Sequence, residues 1–177
     1  LLSAHPGEYA AVIMEPIQSN GTTKEYLQAV VDTAHKHGAI AIFDEVVSGF
    51  RYAIGGASEY YGVTPDMASY GKGCANGMPL SFVAGKRELI NQIEQGVFVS
   101  MTFGGDAVSL AAALATIQEM QGKDVMAHAW KIGTIILDGL KELVAKHGIE
   151  KAVSVSGLAP HCGVAFENVG SLNYLDI

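Results

Sequence analysis

Two short apolar runs, Ala10 to Met14 and Ala39 to Phe43, are each stopped by acidic residues, at Glu15-Pro16 and at Asp44-Glu45. Unbroken apolar runs of this length suit strands buried on both faces of a sheet. Between them, Thr22 or Thr23 caps a helix whose apolar residues Tyr26, Leu27, Val30, Val31 and Ala34 recur at spacings of three and four, and His37-Gly38 ends it. Residues 10–43 are therefore expected to form one strand-helix-strand unit, which pairs its strands in parallel. A parallel sheet needs cover on both faces, so the chain should build an α/β domain.

Such a domain needs a large core, and 49% hydrophobic with 16% charged residues over 177 positions excludes disorder by composition. Eleven basic against 18 acidic side chains give a net charge of -7 without a lysine or arginine cluster. That balance argues against nucleic acid and anionic membranes as partners and leaves small molecules or another protein. No apolar run approaches the roughly 18 residues that span a bilayer, and the start lacks the regions of a signal peptide. Only Cys74 and Cys162 are present, too far apart for a disulfide framework or a metal-ligand pattern, so reduced thiols and a cytoplasmic location are expected. The first residue, Leu1, is not methionine and Gly163 to Glu167 reads as a strand near the end, so the chain looks cut from something longer.

Downstream, Met67 to Tyr70 and Leu80 to Ala84 read as strands flanking the glycine-punctuated stretch Gly71-Lys72-Gly73-Cys74-Ala75-Asn76-Gly77. Helical patterns follow over residues 88–94, 106–121 and 124–147, the second crowded with alanines that imply close packing. Strand character returns at Ala152 to Ser156 and Gly163 to Phe166, and a new subdomain is expected near Gly148.

In parallel α/β sheets ligands bind beyond the carboxyl ends of the strands. Asp44 and Glu45 end a strand there, where one carboxylate serves a ligand or merely caps a turn. Lys72, alone between Lys24 and Lys86 and set between two glycines, reads as a nucleophilic lysine or as a solvated loop residue. Gly71-x-Gly73-x-x-x-Gly77 has the wrong spacing for a dinucleotide fingerprint, and no nucleotide loop is present. Ser100-Met101-Thr102-Phe103-Gly104-Gly105 leads into a helix start that could hold a phosphate, unless Asp106 caps those amides itself. A nucleophilic lysine, a strand-end aspartate and an anion-friendly helix start together meet the needs of pyridoxal 5'-phosphate.

Phe43-Asp44-Glu45-Val46, Gly49-Phe50-Arg51, Gly71-Lys72 and Asn76-Gly77-Met78-Pro79 resemble, in order and spacing, the class III aminotransferases. Tyr60-Tyr61-Gly62-Val63-Thr64-Pro65-Asp66 is most similar to the glutamate-1-semialdehyde aminomutase branch. The resemblance implies a partial large domain of the fold-type-I pyridoxal-phosphate enzymes, α/β with a three-layer, mostly parallel sheet, over residues 1–147, and the start of a C-terminal small domain over 148–177. It implies that Lys72 carries the cofactor's aldehyde as an imine, that Asp44 pairs with the pyridine nitrogen and that Val46 packs on the ring. Thr102 would bind the phosphate across a homodimer interface and Asn20 would lie near the phenolic oxygen. The implied activity is amino-group transfer between an amino donor and a carbonyl acceptor, or within one molecule.

Departures from the family pattern are Val47, where many members have glutamine, and Asp106-Ala107 in place of Asn-Pro. The upstream glycine-rich phosphate loop, the ring-stacking aromatic residue and the substrate arm have no counterpart, so the isolated chain is expected to be inactive. Two other readings stand beside this one: a non-catalytic folding or dimerisation module, and a lysine lyase that needs no cofactor. Asp44 disfavours the second, which has no pyridinium to stabilise.

Overall fold

The computed structural model describes residues 1–17 and 21–166. The element order is β1 (Ala11–Met14), α1 (Lys24–Lys36), β2 (Ile40–Asp44), α2 (Ala57–Tyr61), β3 (Met67–Tyr70), a 3-10 turn at Lys72–Ala75 and β4 (Phe82–Gly85). Then come α3 (Arg87–Ile90), a 3-10 turn at Asn91–Gln95, α4 (Ala107–Gly122), α5 (Val125–His147), β5 (Val153–Leu158) and β6 (His161–Phe166). They fall into two compact units, one of Leu1–Ile17 with Thr22–Met126 and one that includes Ala127 onward.

The first unit is built on a four-stranded sheet in the order β1-β2-β3-β4. β1, β2 and β3 run parallel, as the strand-helix-strand reading expects, and β4 returns antiparallel to β3. Thr23 caps α1 by accepting the Tyr26 N–H at 3.2 Å. Gly38, at φ +73°, then turns the chain back, with the Ala39 N–H closing on the Ala34 carbonyl at 2.9 Å. Leu27, Val31 and Ala34 of α1 pack with Ala39, Ala41 and Phe43 and with Val63 into the main core. Alternation along β2 thereby puts Ala41 and Phe43 on the α1 face and Asp44 on the opposite one.

Two expectations are corrected. The strands are not buried on both faces: in β1, Ile13 is 65% exposed, whereas Ala41 and Phe43, on the α1 face of β2, are buried. Nor is the core large, since Phe98, Val108 and Leu114 lie largely in the open. Apolar content measures what a chain can bury, whereas burial needs a second surface.

The end of the sheet where the strands begin is tied by Asp66, a residue the sequence reading passed over. Its buried carboxylate accepts the Ala41 N–H at 2.6 Å and meets His35 of α1 and Lys86 beyond β4, each at 2.7 Å. Burial alone would raise its pKa, but Lys86, the Ala41 amide and His35 outweigh that and hold it at about 2.

In the second unit, β5 and β6 form an antiparallel hairpin from Val153↔Phe166 to Leu158↔His161. Buried Gly133 of α5 lies so near the backbone of Ala159 that any side chain there would overlap its carbonyl.

The depressed pKa gives a pH prediction with a definite sign. A carboxyl held at about 2, against an ordinary 3.8, stabilises the fold above pH ~4 and loses that contribution as the pH falls toward 2. The loss amounts to roughly 2 kcal/mol. Urea unfolding between pH 5 and 2 should show a drop that is smaller by about this amount in Asp66→Asn.

Candidate active site

β2 and β3 are parallel neighbours, so both deliver the residues that follow them to one end of the sheet. Asp44 and Glu45 end β2 side by side in sequence and meet different fates. Glu45 is fully buried, and its carboxylate accepts four hydrogen bonds: from the Ser48 hydroxyl, the Ala57 N–H at 2.8 Å, the Ser58 N–H at 2.7 Å and the Ser58 hydroxyl at 2.5 Å. It thus caps α2 from a distance and folds residues 48–58 back against the strand. Gly56, at φ +80°, has no side chain of its own to cap with, and a Cβ there would sit 2.7 Å from the Glu45 carboxyl carbon.

Asp44 is half-buried. Its Oδ1 accepts both the Val46 N–H at 3.1 Å and the Ser69 hydroxyl at 2.9 Å, and neither bond uses Oδ2. The carboxylate is therefore oriented by two donors, while among the described residues its other oxygen stays available. Of the two readings of this acidic pair, each residue fulfils one: Glu45 caps and Asp44 presents an oxygen.

Lys72 opens the 3-10 turn after β3 with φ +44°, a left-handed conformation that side-chain-bearing residues rarely adopt. Strain of this kind persists only where the surroundings impose it, and it concentrates at functional sites. Here the surroundings are visible. A Cβ built on buried Gly71 would lie 3.4 Å from Val46 Cγ1 and one on Gly73 3.5 Å from Phe50 Cβ, ordinary contact distances that place the turn beside the segment after Asp44. Behind it, Cys74 and Ala75 pack on Ala112 and Ala113 of α4, which is the close approach that the alanine crowding implied. The Cys74 thiol is buried, which pushes its pKa up, so it offers no rival nucleophile beside the exposed lysine.

Aromatic rings close the side of the turn. Tyr70 and Phe82 stack at 4.9 Å, and Phe50, itself at φ +60°, meets both edge-on. Tyr70 donates its hydroxyl to the Gly55 carbonyl at 3.3 Å, which joins this cluster to the loop that Glu45 organises.

Ser69 is thus bonded to Asp44, and Gly71, the residue before Lys72, lies beside Val46. Thr102 lies in an exposed turn. Asp106 caps α4 by accepting the Ser109 N–H at 2.8 Å, which holds its carboxyl below the usual range, so that amide is satisfied internally. Asn20 falls outside the described residues. No cluster of histidine, cysteine and acidic groups able to hold a metal occurs among the described residues. Sequence reasoning missed Ser69 altogether. The only signal for it was a hydroxyl three positions before an isolated lysine.

The family described as Aminotransferase class-III matches residues 1–172, and the chain belongs to that family. It is 34% identical over its whole length to a glutamate-1-semialdehyde 2,1-aminomutase of Methanococcoides burtonii, covering 43% of that protein. With the protein of the same name from Rhodopirellula baltica it shares 37% identity over 86% of the chain and 36% of the relative. The chain therefore spans well under half the length of these curated relatives. Among solved structures, the internal aldimine form of a Sphingopyxis sp. MTA144 protein, FumI, is 25% identical with a TM-score of 0.85, over 94% of this chain and 41% of that one. A thermostable (S)-enantioselective omega-transaminase from Thermomicrobium roseum is 26% identical with a TM-score of 0.81, over 94% and 38%. The α/β fold of the pyridoxal-phosphate transaminases is thereby established for this segment.

Two substitutions test the loop that frames the site. Gly56→Ala places a side chain at φ +80° against the Glu45 carboxylate and should cost about 2 kcal/mol or more in urea unfolding. Glu45→Ala strands four donors, two of them buried and two part-buried, and should cost on the order of 3 kcal/mol.

Proposed function

We propose that the complete protein carrying this chain transfers an amino group with the help of pyridoxal 5'-phosphate. The observation that carries the reading is the pairing of a strained, exposed Lys72 with an oriented Asp44 whose Oδ2 is unengaged, across adjoining strand ends. The residues fit the cofactor: an available carboxylate oxygen for its pyridine nitrogen, a reachable amine for its aldehyde and the apolar Val46 between them in sequence, lying against Gly71. When bound, pyridoxal phosphate supplies an electron sink for the bond-breaking at the amino donor's α-carbon.

The chain's own residues do the rest. Lys72 Nζ would hold the cofactor's aldehyde and, as a free amine, would take and return the amino donor's α-proton. Asp44 keeps a proton on the ring nitrogen through a charge-assisted hydrogen bond. Val46 offers methyl groups to the ring face, and the Phe50, Tyr70 and Phe82 cluster limits water beside the lysine turn. Thr102 is proposed as a phosphate ligand that serves a neighbouring subunit. This reading, with a homodimer whose interface lies close to the site, is supported by the flanking Phe98, Met101 and Phe103, which are exposed at 89%, 56% and 60%. Asn20 is proposed beside the phenolic oxygen on family grounds alone.

We assign residues 1–147 to the large domain and 148–177 to the start of a small one. No helix among the described residues is long and apolar enough to cross a membrane, and Cys74 and Cys162 are unpaired, which supports a reducing cytoplasm. Relatives named glutamate-1-semialdehyde 2,1-aminomutase, at 34% and 37% identity, support transfer within one molecule as the reading for the complete protein.

Borohydride reduction of the complete protein loaded with pyridoxal phosphate, followed by peptide mapping, should find the label on Lys72. Lys72→Ala should take no label and lose turnover at least a thousandfold, as expected when a covalent nucleophile and proton carrier is removed. Label on Lys86 or any other lysine would refute the assignment.

A further inference from the structure

Asp44 is held on two sides. The Val46 N–H reaches it from two residues along the same chain, a local turn that leaves the carboxylate free to swing about its own bond. The second donor comes from the neighbouring strand. Ser69 is the register partner of Asp44, so their side chains project from the same face of the sheet, the one opposite α1. The Ser69 hydroxyl donates to Asp44 Oδ1 at 2.9 Å, and the Ser69 carbonyl accepts the Glu45 N–H at 2.9 Å. One residue thus fixes the backbone of one acid and the side chain of the other. Three positions on, the same strand delivers Lys72.

We propose that Ser69 is a positioning residue for Asp44: its hydroxyl, bonded to Oδ1 across the β2–β3 ladder, aims Oδ2 at the cofactor's pyridine nitrogen. The inference rests on the reading of Asp44 given above and goes beyond it. Two donors on one oxygen, arriving from different directions, fix the plane of a carboxylate where a single donor cannot. The coupling also makes sheet register part of the site, because a slip of one residue between β2 and β3 would turn Ser69 to the other face. Lysine and aspartate positions are then set by one strand pair rather than by two independent loops.

The test uses the complete protein loaded with pyridoxal phosphate, and reads the pH midpoint of the bound cofactor's visible absorption band beside the urea midpoint. In Ser69→Ala a less constrained Asp44 holds the ring proton less firmly, which leaves less positive charge on the ring. The band midpoint should rise by about one pH unit, a tenfold change, the scale expected for losing one hydrogen bond to a charged group. Ser69→Thr keeps the hydroxyl and should stay within a few tenths of a unit of wild type. Ser69→Cys, with a weaker donor, should fall between, and carries the comparison if the alanine variant fails to fold. Asp44→Asn should move the midpoint further than any of them.

An unchanged midpoint in Ser69→Ala and Ser69→Cys, with Asp44→Asn shifted, would overturn the role of Ser69 and leave that of Asp44 standing. A midpoint that neither Asp44→Asn nor Ser69→Ala moves would remove the Asp44 reading and this inference with it. A shift as large in Ser69→Thr as in Ser69→Ala, or one that follows the urea midpoint across the series, would show that packing rather than the hydroxyl matters, and would equally overturn it.

Discussion

The buried carboxylate of Glu45 is the interaction on which the rest of the site depends. A carboxylate withdrawn from water is costly unless its oxygens are hydrogen-bonded, and here four donors from a segment three to thirteen residues on supply those bonds. To deliver them, residues 48–58 must double back over the end of β2. That return brings Gly49 so close to the ring of Tyr70 that a Cβ would come within 2.6 Å, and it sets Phe50 against Gly73. Glu45 has no part in the proposed chemistry, yet through this loop it fixes the wall against which the lysine turn is pressed.

The immediate neighbour of Glu45 shows how alternation on a strand separates two identical charges into different jobs. One side chain turns into the protein and is consumed by structure. The other, Asp44, turns to the open face, where Ser69 and the Val46 amide take one oxygen and leave the second. Lys72 then follows in the 3-10 turn after the next strand, at φ +44°, with Cys74 and Ala75 of that turn packed in the core behind it. The site is an assembly of strand ends whose relative height is set by ladder register, which is why the same four-stranded arrangement that builds the core also positions the chemistry.

The elements were readable where local chemistry marks them. Thr23 and Gly38 bound α1, and Met67 to Tyr70 is a strand with the limits its apolar run suggests. Lys72 stood out by isolation between glycines, although its left-handed backbone did not, because no residue type at that position marks a positive φ. The division of labour between Asp44 and Glu45 was beyond reach for the same reason: nothing in the tetrad Phe43 to Val46 says which acid the later Ser48, Ala57 and Ser58 will enclose. Ser69 needed the register of β2 on β3. Apolar runs in β1 and β2 suggested two covered faces, but hydrophobicity gives a preference for cover without supplying it. The Asp106 ambiguity turned on one hydrogen bond, to the Ser109 amide, that only geometry reveals.

The central claim is that Asp44, oriented by its strand neighbour, keeps the cofactor's ring nitrogen protonated while Lys72 does the proton work. The most direct measurement is the nitrogen-15 NMR shift of ring-labelled pyridoxal phosphate bound to the complete protein. The account predicts a protonated pyridine nitrogen in the wild type at neutral pH and a largely unprotonated one in Asp44→Asn. An unprotonated nitrogen in the wild type, or a protonated one that survives the loss of the Asp44 carboxylate, would contradict it.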